Sequence, residues 1–585
     1  MREYLKEEAE RMLYPFMKGL FYRISRSGED FSIDGVWAYN ENAQFVGGKM
    51  INLCSYVVTE LMEGEEYQKG MALLPEIIAR AASLPMKTWG ILNAITGIFR
   101  LEQKGILEKA AEPEVLEKLQ RELDWRKFID CENNLALMDL PTNYYGVAFG
   151  VARYRELLGW DQEGCSERLL KRFLEHIEAY SGEYEFMDET QGQGRFDRYS
   201  ILVPAELTGT ILRTKMVLPE KIKSMLRKSA DIALKMRNRQ GLGFSYGRST
   251  GAYGDTGAWQ ILTAAAQVPG LLSQEEERQA YTYCVCILNR FGDFWIDEEM
   301  DSVNLWEKGR KTDNYRNKNR ILSENLSLCM QFADELWWKN PGCDEKTMEA
   351  MMEAWEAGPL AGTFFPFAMG EYQRGLAIVR DKGKVWSLPL ISGGDSYYAK
   401  SPYFPIPYRQ FAVTGIPEAT GGSLVPVLVL KDGRRAVPTV YIQDIQYQQE
   451  KESFRISYRQ DRLCVISGEK MEALEGICSE TVYTWKSGEI IREDTFFGAG
   501  LAMVTGAEME FFTFSAGVKE IQGGFRAEAG QVRQLTAVGY TSHAVWPLED
   551  SSDFATPDGP LKYRIKWTGA RPENGSLKVS WKMSD

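Results

Sequence analysis

The stretch Thr142-Asn143-Tyr144-Tyr145-Gly146-Val147-Ala148-Phe149-Gly150-Val151-Ala152 decides the fold. It has no polar face. Gly146, Ala148, Gly150 and Ala152 run through it, so a helix built from this stretch must be packed on every side. Asp255 to Gln267 is a second segment of the same kind, with Gly257, Ala258, Ile261, Leu262 and Ala264 to Ala266. Neighbouring segments read differently. Ser166 to Tyr180 opens on a Ser N-cap and sets Leu169, Leu170, Phe173, Leu174 and Ile177 on one stripe before Gly182 ends it. Ser273-x-x-Glu276 forms a capping box ahead of another amphipathic helix.

Extending this alternation outward gives six buried-type helices, near 43–62, 85–104, 142–158, 198–213, 255–268 and 320–338. Amphipathic partners lie near 3–24, 66–82, 113–128, 166–181, 219–238, 273–291 and 345–356. After a shorter first step the buried helices recur roughly every 57 residues, the length of one helical hairpin. Six inner helices with outer partners predict a closed (α/α)6 toroid over residues 1–357, with an open solenoid as the alternative. After Gly358 to Gly362 the pattern changes to short apolar runs. Leu376 to Val379, Val427 to Leu430 and Val482 to Trp485 are separated by turn signals, of which Asp432-Gly433 and Ser487-Gly488 are the clearest. An antiparallel β-sandwich over 358–585 is expected, giving an α+β, two-domain chain.

The formal charge of −13 argues against non-specific nucleic-acid binding and against docking on an anionic membrane. No run approaches the roughly eighteen apolar residues of a spanning helix. Met1 to Glu8 alternates charge and offers no apolar signal core. Nine scattered cysteines without a C-x-x-C read as reduced, buried thiols, so a cytoplasmic setting is expected. Only two histidines occur. His176, on an outer helix, and His543, in the β part, both read as structural. That removes a Ser/His/Asp triad or a His-ligated zinc site within the toroid. No cofactor and no metal are called for, and the oligomeric state is left open.

Connections from outer to inner helices are mostly long, at 25–42, 129–141, 182–197, 239–254 and 292–319. In a ring of parallel inner helices these loops open at one end, where the inner-helix N-termini favour anions. The first loop carries Trp37, Tyr39, Asn40, Glu41 and Asn42, and the third inner helix opens on Asn143 and Tyr145. Asp188-Glu189 and Arg195-Phe196-Asp197-Arg198-Tyr199 follow, then Tyr246, Arg248, Tyr253 and Asp255, and finally Asp313-Asn314-Tyr315-Arg316. Aromatic planes cover the C–H face of a sugar ring, and Asn, Asp and Arg satisfy its hydroxyls. Arg195, Arg198, Arg248 and Arg316 could hold an acidic group in bidentate fashion, which suits an acidic oligosaccharide substrate. The plainer readings make Asp255 an N-cap, pair Arg198 with Asp197 and place Trp259 in the core.

The segments Asn143-Tyr144-Tyr145, Gly194-Arg195-Phe196-Asp197-Arg198-Tyr199 and Gly254-Asp255-Thr256-Gly257 resemble the (α/α)-toroid enzymes of polysaccharide breakdown. These include heparinase II/III-like lyases and related glycoside hydrolases, and the chain is most similar to the β-glucuronidases of glycoside hydrolase family 154. The resemblance implies a toroid followed by a β-sandwich and activity on uronic-acid saccharides. Heparinase-like lyases generally use a histidine at the mouth, and none is evident here, which favours hydrolysis. The first expectation is therefore an exo-acting glycoside hydrolase that releases a glucuronate-like sugar. Glu189 would be the general acid and Asp255 its partner, with Asp197 in reserve. Arg195, Arg198 and Arg248 would hold the substrate carboxylate, while Asn143, Tyr145, Tyr199, Tyr246 and Tyr253 bind hydroxyls. The second expectation is a lyase in which Tyr199, Tyr145 or Tyr253 abstracts the C5 proton, and an arginine with Asn143 stabilises the anion. The third is a non-catalytic carbohydrate-binding protein.

Overall fold

The computed structural model describes residues 2–40, 42–305, 318–333, 339–391, 403–409, 424–467, 470–530, 532–548, 555–556 and 559–584. Glu41 and Asp313 to Arg316 lie outside them. The principal helices, in chain order, are α1 (Tyr14–Ser27), α2 (Val46–Tyr56), α3 (Gly64–Ser83), α4 (Thr88–Gln103), α5 (Pro113–Glu122), α6 (Tyr144–Leu157) and α7 (Cys165–Ser181). They continue with α8 (Arg198–Arg213), α9 (Glu220–Met236), α10 (Ala252–Ala266), α11 (Gln274–Arg290), α12 (Lys318–Ala333) and α13 (Glu345–Ala357). The even-numbered helices are inner and the odd-numbered ones outer. Each inner helix packs on the next, and α12 packs back on α2, so the ring closes. The six inner helices read from the sequence are these six, and closure excludes the open solenoid.

Sequence explains the tightness of the ring. All residues of α2 are buried. Along the α2–α4 seam, Gly48 lies against the Gly90 carbonyl and Gly97 against the Ile51 carbonyl, with no room for a Cβ at either position. Backbone meets backbone there, which only glycine allows. Of the caps expected from the sequence, Ser273–Glu276 forms, whereas Ser166 lies inside α7, whose N-cap is Gly164, and Asp255 lies inside α10, whose N-cap is Gly251. Ser273 and Glu276 cap α11 reciprocally, and Asp197 caps α8 by accepting the Tyr199 N–H at 2.9 Å while its own N–H donates to Ser200 Oγ.

After α13 comes a three-stranded antiparallel sheet, Ala361–Met369, Gln373–Asp381 and Lys384–Leu390. Seven- and eight-stranded antiparallel sheets follow. Their inner faces meet: Phe511 of one stacks on Phe525 of the other at 5.6 Å, and Trp567 Nε1 donates to the Gly523 carbonyl at 2.8 Å. Burial alternates along Ser576–Ser584, as a sandwich strand requires. Ser487-Gly488 makes the turn between Cys478–Lys486 and Glu489–Phe497. Among the described residues no helix is long and apolar enough to cross a membrane.

The three-stranded sheet rests on the toroid where the loop 182–197 emerges. Phe367 packs on Phe186 and Phe196, with ring centroids 4.7 and 5.3 Å apart. Ser181 Oγ donates to the Phe367 carbonyl at 2.7 Å, and Arg374 Nε donates to the Gly194 carbonyl at 3.3 Å. The β part thereby braces the loop that leads into α8.

Candidate functional site

A cavity follows the axis of the ring and is lined by all six inner helices. Its free space is about 1230 Å³, open solvent at the mouth included. Of the residues expected from the sequence, Arg198, Tyr199 and Tyr253 line it.

Tyr199 is the most distinctive of them. The guanidinium carbons of Arg198 and Arg248 lie 4.4 and 4.5 Å from its ring centroid. Arg198 and Tyr199 open α8, and the Asp197 cap sets the direction in which they leave the loop. Arg198 Nη1 donates to the Tyr253 carbonyl, and its buried Nε has no hydrogen-bond partner among the described residues. Arg248 comes from the loop before α10 and is fixed behind Tyr199 on several sides. Its Nε donates to Asp197 Oδ2 at 3.0 Å, its Nη2 donates to Asn143 Oδ1 at 3.3 Å, and it pairs with Glu189. Arg195 Nη2 reaches the same Glu189 oxygen at 3.3 Å. Tyr403, from the chain beyond the three-stranded sheet, completes the cluster: its hydroxyl donates to Asp197 Oδ2 at 3.0 Å and accepts the Arg248 N–H at 3.1 Å.

This geometry reassigns the nominated carboxylates. The side chains of Glu189 and Asp197 have 0 % exposure and do not line the cavity. Burial pushes the Asp197 carboxyl above its usual range, against the pull of Arg195, the Tyr199 N–H and Tyr403. Asp255 turns toward α11. Its Oδ1 accepts the Gly243 N–H at 2.7 Å, and its Oδ2 accepts from Trp295 Nε1 at 3.0 Å and Arg290 Nε at 3.3 Å. It pins a loop whose Gly243 lies directly on the Gly254 carbonyl. Burial raises this carboxyl as well, with Arg290 opposing. These three acids hold the mouth in shape and do not face the cleft.

The other expected residues divide in the same way. Asn143 is buried and holds Arg248. Tyr145 packs against Phe173 and His176 beneath α7, and Tyr246 is fully buried, its phenol pushed well up by burial and by Asp197. Trp37 and Asn40 form a local turn apart from the cleft, with Trp37 half exposed and the Asn40 amide donating to the Trp37 carbonyl. His176 departs from its expected place away from the mouth. Its Nε2 lies 3.0 Å from the Asp188 carbonyl and 3.2 Å from Thr142 Oγ1, so from α7 it ties two mouth loops together. Burial lowers its pKa.

Sequence reading missed the polar residues inside the ring: Lys49, Asn93, Glu206, Arg213, Glu324 and Gln331 all line the cavity. Lys49 pairs with Glu324 at 2.8 Å across the α2–α12 seam. A signal for them existed. A charge set within an apolar inner helix, as Lys49 is in α2 and Glu206 in α8, needs a polar cavity to face. Among the described residues no group of three or more His, Cys, Asp or Glu is placed to hold a metal ion.

No protein-family model matches the chain, and no curated protein matches it significantly. Among solved structures it is similar to a xanthan lyase from Paenibacillus, with 9% identity, a TM-score of 0.46, and coverage of 100% of this chain and 57% of that one. It is also similar to the chondroitin AC lyase of Streptomyces coelicolor A3, at 10% identity and TM-score 0.43, over 98% of this chain and 79% of that one. A heparinase III is similar at 11% identity and TM-score 0.28, over 97% and 84%. At this identity and superposition the likeness carries no inference about activity.

Proposed function

We propose that the ring-axis cleft binds a uronic-acid saccharide and cleaves it by β-elimination, with Tyr199 as the proton-transferring group. The observation that carries this reading is the placement of Tyr199 in the cleft wall with Arg198 and Arg248 over its ring. Negative charge that develops on the phenol as it releases its proton is stabilised by two adjacent cations. The Tyr199 oxygen, as the phenolate, takes the C5 proton, and the C5–H electron pair becomes the C4=C5 double bond. The C4–O bond breaks, and the departing oxygen takes up a proton from Tyr199, which restores the starting state. Arg198, with a donor still unengaged, suits the substrate carboxylate on which charge accumulates before the bond breaks. The carboxylates first suited to hydrolysis, Glu189, Asp197 and Asp255, are buried and engaged away from the cleft.

A hydrolytic reading keeps one specific support: Glu206 and Glu324 do line the cavity. Exposure of unsulfated and sulfated uronic-acid polysaccharides to the protein separates the two. Elimination yields a conjugated, ultraviolet-absorbing product end and fragment masses that sum to the substrate; hydrolysis yields neither the chromophore nor that balance, because water is added. Saturated products alone would sink the elimination reading and move the chemistry to Glu206 and Glu324.

A further inference from the structure

We infer that the lower half of the ring-axis cavity is a subsite for an uncharged, hydroxyl-rich sugar at the end of a chain, a proposal that rests on the saccharide reading of the cleft. A single helix traces the cavity's depth. Arg198 and Tyr199 line it from the first turn of α8, and Glu206, Gly209, Thr210 and Arg213 line it from the second half of the same helix. At 1.5 Å of rise per residue, Tyr199 to Arg213 spans about 21 Å along the axis. Tyr154 near the end of α6, Gln260 on α10 and Gln331 near the end of α12 line the same cavity. At that depth helices surround the axis on every side, so a polymer enters end first.

The chemistry of the lower half differs from that of the mouth. Glu206 and Arg213 supply one acid and one base, and Thr210, Gln260 and Gln331 supply a hydroxyl and two amides. The sum carries no net charge. A second carboxylate or a sulfate would meet Glu206, whereas sugar hydroxyls, which both donate and accept, suit every one of these groups. Gln331 Oε1 is buried without a hydrogen-bond partner among the described residues, an acceptor whose cost is relieved when a ligand hydroxyl donates to it. Gly209 keeps the passage open: a Cβ there would meet only Arg213 Nη2, at 3.5 Å.

The test fills the passage in graded steps. Gly209→Ala, Gly209→Leu and Gly209→Phe are made in a Tyr199→Phe background, and binding of an unsulfated oligosaccharide of alternating uronic acid and uncharged hexosamine is measured by calorimetry. Affinity should fall stepwise with side-chain size, by at least about tenfold for Phe. The melting temperature should hold, because each replacement has a better helix propensity than glycine. Gln331→Leu, which breaks no bond made by Oε1, should also weaken binding. With Tyr199 intact, small product should be released from the first turnovers instead of a spread of intermediate lengths. Binding untouched by Gly209→Phe and Gln331→Leu, or cleavage at internal positions, overturns the subsite. Absence of binding to any of these proteins overturns both the subsite and the saccharide reading. Turnover that survives Tyr199→Phe overturns only the elimination chemistry.

Discussion

Asp255→Asn removes one acceptor oxygen from a buried node that serves three donors. In the native protein the Gly243 N–H occupies Oδ1, while Trp295 Nε1–H and Arg290 Nε–H share Oδ2. Asparagine keeps one acceptor, so its amide N–H2 must face either Gly243 or the Trp295–Arg290 pair. Loss of a bond to a charged group costs about 1.5–3 kcal/mol, and a buried donor left without an acceptor about 1–3 kcal/mol more. The desolvation that raises the Asp255 pKa offsets part of this, which puts the net loss near about 3 kcal/mol. For a helical part of about 350 residues that is a fall in Tm of about 4 °C. Calorimetric melting measures it, and turnover is assayed well below both midpoints. Because the side chain faces α11 and not the cleft, kcat should stay within about threefold of the native value. An unchanged Tm with turnover abolished would refute the structural assignment and restore Asp255 to catalysis.

Tyr403→Phe deletes the hydroxyl that serves both Asp197 and the Arg248 N–H. It should cost about 2–4 kcal/mol in thermal melts and, through the loosened Arg248, slow turnover by about tenfold. If neither changes, the brace is not needed. Gly48→Ala forces a Cβ onto the Gly90 carbonyl and should cost at least about 2 kcal/mol in urea unfolding; a neutral result would mean the α2–α4 seam can spread. Glu276 is held from 4.5 down to about 2, first by its bond with Arg227. A depressed carboxyl contributes stability above its ordinary pKa and loses it as pH falls through the folded value. The Tm gap between native protein and Glu276→Gln should therefore be full at neutral pH and close as pH falls from about 4.5 toward 2; a gap that does not vary with pH would contradict the sign.

The ring was legible because its cause is compositional. Segments such as Thr142 to Ala152 have no polar face, and the only way to bury them all round is to enclose them with amphipathic partners. The mouth was legible as a cluster, since Glu189, Arg195, Asp197 and Arg248 do meet. Which of them face substrate was not. Asp197 and Tyr199 are two residues apart, yet one is sealed beneath Tyr403 and the other lies in the cleft wall, a difference decided by a residue some two hundred positions away. Asp255 likewise takes its role from Arg290 and Trp295, partners no local pattern reveals. The polar lining inside the ring escaped notice for the opposite reason. Lys49, Glu206 and Arg213 sit within helices read as apolar, where a single charge passes for an interruption instead of a lining.

The rate at which Tyr199→Phe forms unsaturated product, on a substrate the native protein cleaves, tests the central claim most directly. The variant keeps the ring that Arg198 and Arg248 overlie and loses only the oxygen that moves the proton. Saccharide binding and Tm should remain near native, while product formation falls by at least about a hundredfold. A variant that forms unsaturated product at the native rate would contradict the account.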